Sequence, residues 1–163
     1  MADKLSHIDD AGNMKMVDVS EKEITNRIAV ASGKIFMKQS TLDMIKKGEA
    51  KKGDVLACAR LAGIMAAKKT GDLIPMCHPL NLENVSIDIE MADSSKGEAC
   101  IKVSATAKLS GKTGVEMEAM TSVSVACLTI YDMCKAVDRS MHIETVQLEK
   151  KDGGKSGLWE RGK

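Results

Sequence analysis

The sequence predicts an α+β fold, an antiparallel sheet with helices packed on one face. Three observations carry this. Two period-two segments, NVSIDIEMA (84–92) and EACIKVSATAKLS (98–110), flank the short polar stretch SSKG and form a β-hairpin. A third such segment, MHIETVQLE (141–149), follows a long apolar stretch of helical character at 114–139. The 163 residues suffice for a hydrophobic core without disulfides or metal, and they suit one domain spanning 1–163.

Taken in order, residues 1–20 are polar apart from MKMVDVS and are expected to form an extended N-terminal arm. EITNRIAVASGKIFM (23–37) mixes β-branched and polar residues and is expected to be a strand, with Gly33 marking a bulge. Ser40 or Thr41 can cap a short helix that stops at Gly48. Asp54 opens a longer helix, DVLACARLAGIMAAKKT, ending at Gly71. Its small residues Ala57, Ala59, Ala62, Gly63 and Ala66 allow close packing against another element. The only two prolines, Pro75 and Pro79, bracket Met76-Cys77-His78, so 72–80 is expected to be an ordered loop. Residues 150–163, rich in Gly and Lys, are expected to be a C-terminal loop. Without the short helix, the order β-α-β-β-α-β is the split arrangement of ferredoxin-like folds. Whether the second sheet face is solvated or covered stays open at this point.

Composition excludes several classes of function. Lys plus Arg number 24 and Asp plus Glu 23, a net charge of +1, which argues against a nucleic-acid or anionic-membrane partner. The aromatic residues are Phe36, Tyr131 and Trp159, too few for a base-stacking surface. The most apolar short stretch, 61–67, is far too short to span a bilayer. Five cysteines, an odd number without C-x-x-C spacing, and an N-terminus without signal-peptide character point to a reducing compartment, the cytoplasm. Most of the cysteines are expected to be buried. His7, His78 and His142 are too scattered for a histidine metal site, and no metal ligand set is expected.

The helical stretch 114–139 is apolar nearly all round, as expected for a central or interface helix. At about 100° per residue, Glu118, Thr121, Ser122, Thr129, Asp132 and Lys135 fall in one polar stripe. Two readings fit. In one the stripe faces solvent, with Asp132 and Lys135 an ordinary i,i+3 pair. In the other, carboxylate and amine sit on an otherwise buried helix as acid and base with shifted pKa values. Glu116 and Glu118 diverge by about 200° within a helix, so joint use of both requires the helix to start near Glu118 or later. Glu118 and Asp132 are separated by about 21 Å of helix. One compact substrate cannot touch both in one chain, so joint use calls for a long ligand or a site shared between subunits.

Gly111-Lys112-Thr113 and Gly154-Lys155-Ser156 lack the earlier glycine of a P-loop, since those positions hold Thr106 and Glu149. They remain glycine-lysine turns able to offer backbone N–H groups to an anion. Lys51-Lys52-Gly53-Asp54, ahead of a helix N-terminus, is a third candidate.

KKGDVLACARLAGIMAAKKTGDLIPMCHPL, KLSGKTGVEMEAMTSVSVACLTIYDMCKAVDR and GGKSG resemble the cyclic pyranopterin monophosphate synthase family of molybdenum cofactor biosynthesis, from about His7 to Gly157. The resemblance implies a ferredoxin-like α+β fold and a homo-hexamer, a trimer of dimers, with active sites at dimer interfaces. It implies a lyase reaction, from 3′,8-cyclo-7,8-dihydroguanosine 5′-triphosphate to cyclic pyranopterin monophosphate with release of diphosphate. By matching position, Asp132 is the catalytic acid/base, Lys135 its partner and Lys52 a functional lysine. Met76, Cys77 and His78 form one substrate-binding segment; Met117 and Glu118, joined by Glu116, form another. Arg27, Lys151 and Lys155 match basic positions near the triphosphate. All these positions are intact. The resemblance requires no cofactor, leaves room for Mg²⁺ with the triphosphate, and implies hand-over of the precursor from a radical SAM GTP cyclase.

Overall fold

A computed structural model describes residues 11–93 and 98–163. The elements run β1 (Thr25–Lys38), α1 (Gln39–Lys46), α2 (Val55–Lys68), α3 (Thr70–Leu73), β2 (Asn84–Ala92), β3 (Glu98–Gly111), α4 (Glu116–Cys134), β4 (His142–Asp152) and β5 (Trp159–Glu160). The strands form one antiparallel sheet in the order β2-β3-β1-β4-β5. Its first four strands have the ferredoxin-like order expected from the sequence. The SSKG turn and the first half of the predicted arm, with His7, lie outside the described residues.

The β1–β3 ladder is uninterrupted from Thr25↔Gly111 to Lys38↔Glu98. Alternation in β3 is strict: Ala99, Ile101, Val103, Ala105, Ala107 and Leu109 are all buried on the helix side. Val85, Ile87 and Ile89 of β2 share that side, while Ser86, Asp88 and Glu90 do not, as the pleat requires. The β1–β4 register slips between Ser32 and Lys34, around Gly33, so the expected bulge is present. A Cβ on Gly33 would lie 2.7 Å from a methyl group of Val123, so α4 crosses the sheet closely at that point.

Small residues likewise bring α2 against α4. Ala59 and Gly63 are buried in this contact, and a Cβ on Gly63 would stand 2.9 Å from the backbone oxygen of Ser122. With few aromatic side chains to fill space, small residues let the backbones of this core approach closely.

Several boundaries differ from expectation. α1 begins at Gln39 with no side-chain cap, because the Thr41 hydroxyl donates instead to Asp138. Asp54 does cap α2, accepting from the Ala57 N–H. α2 ends at Lys68, and Gly71 lies inside α3, so the expected loop begins with a helical turn. The Thr70 hydroxyl donates to the Ala66 carbonyl across that break. α4 stops at Cys134 and not near 139. Asp138, whose side chain is fully buried, accepts from the Lys38 N–H, the Thr41 hydroxyl and both the N–H and hydroxyl of Ser140, drawing the chain towards the β1–α1 junction. The expected C-terminal loop from 150 is corrected: β4 runs to Asp152, and β5 pairs back with Lys150↔Glu160 and Lys151↔Trp159. Only Cys127 and Cys134 are buried among the five cysteines, fewer than expected; Cys58 is exposed.

Candidate active site

Two clusters stand at opposite ends of α4. At its C-terminal end, the Lys52 ammonium donates to the Asp132 carboxylate and to the Asp132 carbonyl, each at 2.9 Å. Lys135, one turn on, donates to the other carboxylate oxygen at 2.6 Å. Lys52 reaches this point because α1 ends at Lys46, Gly48 (φ 69°) turns the chain, and the connection to α2 runs beside the end of α4. At the candidate anion site Lys51–Asp54, Asp54 caps the α2 N-terminus and Lys52 pairs with Asp132.

In the single chain this pair is open, as in the solvent-facing reading of the stripe. Asp132 is 56% exposed and Lys135 53% in the single chain. Hydrogen bonds from Lys135 and then Lys52, reinforced by their charges, lower the Asp132 carboxyl to about 2. The Asp132 partner in turn raises the Lys135 ammonium. Both shifts favour the charged forms, the Asp132 carboxylate and the Lys135 ammonium. The polar stripe is split: Glu118 and Ser122 are buried, while Asp132 and Lys135 are open.

At the N-terminal end of α4, two adjoining cavities share Lys22, Thr113, Gly114 and Glu116. The smaller, about 310 Å³, is lined by Met76, Cys77, His78, Met117 and Glu118. Both predicted binding segments therefore meet here. The turn between the two prolines is fixed by Cys77 N–H donating to the Ile74 carbonyl. Glu116 and Glu118 both line this cavity although the helix already begins at Glu116, contrary to the expectation that they would diverge. The first turn lies at the cavity mouth, and the Glu116 carboxylate folds back over Gly114, whose missing Cβ leaves room for it. Burial, foremost, and then the nearby Glu116 charge raise the Glu118 carboxyl, against the lowering effect of its own backbone N–H. Burial and the Glu118 charge also push the Cys77 thiol up.

The larger cavity, about 730 Å³, carries Arg27, Lys112, Lys151 and Lys155. The Arg27 guanidinium donates to the Gly111 carbonyl and lies against Gly154, where a Cβ would be 1.7 Å from it. Lys151 donates to the Ser156 hydroxyl at 2.7 Å and stands 3.6 Å from Glu116. β5 closes the hairpin that presents Lys155. Lys22 and Lys112 also line the cavity without having been assigned to a site. Lys112 had a signal in the glycine-lysine string, whereas Lys22 had none in the polar arm. Among the described residues there is no group of three or more His, Cys, Asp and Glu side chains able to hold a metal ion. No described helix is long and apolar enough to cross a membrane.

A ferredoxin-like sheet whose long helix bears an acid–base cluster at one end and a cation-lined double cavity at the other has the layout of an enzyme for an anionic substrate. Comparison with known proteins makes this specific. The model of the MoaC family matches residues 16–154, and the chain belongs to this family. It is 58% identical over 157 residues to cyclic pyranopterin monophosphate synthase 1 of Mycobacterium bovis, covering 96% of this chain and 90% of the relative. It is 57% identical to the cyclic pyranopterin monophosphate synthase of Novosphingobium aromaticivorans, with 95% and 96% covered. The Brucella ovis enzyme of that name is 56% identical, with 98% and 94% covered. The family is one of lyases in molybdenum cofactor biosynthesis.

Proposed function

We propose that this protein converts 3′,8-cyclo-7,8-dihydroguanosine 5′-triphosphate to cyclic pyranopterin monophosphate with release of diphosphate. The observation that carries this reading is the meeting of the Met76–His78 turn with Glu116–Glu118 beside a cavity lined by Arg27, Lys151 and Lys155. The larger cavity suits the triphosphate. Its cations offset the charge growing on the departing diphosphate, the contribution expected of fixed positive groups in phosphoryl chemistry. The smaller cavity suits the purine-derived rings, with Met76 and Met117 packing on them and His78 hydrogen-bonding. No cofactor is required in this reading, and Mg²⁺ enters only with the substrate phosphates.

The lysines flanking Asp132 are the proton donors of the resting cluster. Once one of them gives its proton to the substrate, Asp132 loses a stabilising charge and its basicity rises. It can then accept the next proton, so donor and acceptor alternate through the ring opening and re-closure.

The two clusters are too far apart to serve one substrate in one chain, which supports a site shared between two copies. The outer surface between them is apolar: Leu61 and Met65 on α2 and Leu128 on α4 are each more than half exposed. Two α4 helices meeting antiparallel about a dyad near Val125 bury these side chains and bring each Asp132 to the partner's smaller cavity. Three such dimers form the homo-hexamer. The enzyme works in the cytoplasm, taking its precursor from a radical SAM GTP cyclase.

The test is anaerobic single-turnover conversion of the purified precursor, reading diphosphate and pyranopterin together. Both form with the wild type, and both are lost with Asp132→Asn at unchanged far-UV circular dichroism. Absence of turnover in the wild type, or full activity in the variant, overturns the reading.

A further inference from the structure

Lys112 stands between β3 and α4, in one of the glycine-lysine strings, and lines the larger cavity. It donates to the backbone carbonyl of Ser20, 92 residues earlier, at 2.5 Å. That carbonyl belongs to a turn that holds itself together: Ser20 N–H donates to the Asp18 carboxylate at 2.8 Å, and Lys22 N–H to the Val19 carbonyl at 3.1 Å. The turn walls both cavities. Val17 and Val19 face the smaller one; Glu21, Lys22 and Glu23 face the larger. Its residues are otherwise mostly exposed, so little apolar burial offsets the entropy of holding it in place.

We infer that Lys112 is a further binding and positioning residue, bridging an anion in the larger cavity to the wall at residues 17–23. The inference rests on the proposed triphosphate site. An ammonium has three N–H donors. The Ser20 carbonyl takes one; among the described residues no other hydrogen bond engages this ammonium, and its remaining donors can serve phosphate oxygens. An anion in the cavity fixes the Lys112 ammonium, and the fixed ammonium holds the Ser20 carbonyl. Filling the larger cavity thereby steadies the wall of the smaller one, which Val17 and Val19 line together with Met117. Arg27 and Lys151 differ in this respect: the partners described for them lie on the β3 end, on α4 and on the β4–β5 hairpin, and not on the arm.

The experiment uses inorganic tripolyphosphate as the probe, with wild type, Lys112→Met and Lys112→Arg. Calorimetry gives affinity, and hydrogen exchange at the Ser20 and Lys22 amides reports the wall. Lys112→Met is expected to bind about tenfold more weakly, the size of one charge-assisted hydrogen bond. Its wall amides exchange faster than those of wild type and gain no protection from the probe. Lys112→Arg, which keeps charge and donors, restores both. Wild-type affinity or wild-type wall protection in Lys112→Met overturns the inference alone. A wild type that does not bind tripolyphosphate overturns the triphosphate site and this inference with it.

Discussion

The Lys52 ammonium meets Asp132 at two points, the carboxylate and the main-chain carbonyl, both at 2.9 Å. The first contact sets the charge of the side chain. The second ties the α1–α2 connection to the end of α4 and satisfies a helix carbonyl that has no intrahelical donor. Lys52 thus joins Lys135 in lowering the Asp132 carboxyl, and it alone also holds the Asp132 main chain.

Removing the ammonium should separate these effects from folding. In Lys52→Met, the Asp132 carboxyl is expected to titrate above its wild-type value of about 2, followed by the carbon-13 shift of its side chain. A carboxylate held below its unfolded value stabilises the fold above that value, near 3.8, and loses the contribution as pH falls through about 2. Asp132→Asn should therefore flatten the acid limb of the stability profile between these pH values while abolishing turnover. An unchanged acid limb would show that folding does not lower the Asp132 carboxyl.

Glu118 shifts in the opposite direction. Its carboxyl is raised, chiefly by burial, so the protonated form is favoured on folding. The linked stability is present below the unfolded value and fades as pH rises through the folded one. Glu118→Gln, which resembles the protonated form, should be at least as stable as wild type at pH 7 in urea melts. The gap between the two should close as the pH is lowered towards 4. A less stable variant at pH 7 would mean that the ionised carboxylate has a stabilising partner.

The shared site predicts complementation. Glu118→Ala and Asp132→Ala homo-oligomers should each be inactive, and a mixture after subunit exchange should regain part of the wild-type rate. Native mass spectrometry can verify the exchange. Mixed oligomers without activity, despite proven exchange, would overturn the shared site.

Much of the fold was legible because its signals are local. Period-two alternation in β2 and β3 is enforced by a sheet with one buried face. Asp54 and Gly48 mark their helix ends by side-chain and backbone chemistry written in the sequence. The misplaced ends arise from distant contacts. α4 terminates where Asp138 is captured by Lys38 and Thr41, nearly 100 residues earlier, and no window of sequence contains that bond. β5 is only two residues long and exists through pairing with β4. The residues of the candidate site carried little signal of their own, and the resemblance to the family singled them out. Their exposure, and the pairing of Lys52 with Asp132, came only with the structure.

The α2–α4 contact offers a test of packing alone. In Gly63→Ala the new methyl would meet the Ile87 side chain at 2.4 Å and the Ser122 carbonyl at 2.9 Å. The side chain can yield, but the carbonyl belongs to α4. Overpacking of this kind costs about 1–3 kcal/mol, against about 1 kcal/mol regained from the better helix former. A net loss in urea unfolding is expected, together with reduced turnover. Wild-type stability would mean that α4 moves aside freely.

That last possibility bears on how the enzyme tolerates change. Glu118 and Asp132 ride on one unbroken helix, so neither end of α4 can be retuned alone. Inserting a single residue between them would lengthen the helix by about 1.5 Å and swing one end about 100° relative to the other. α4 acts as a ruler as much as a scaffold, and its graduation is the number of residues between those two carboxylates. If the proposed shared site holds, this span can vary in composition but not in length.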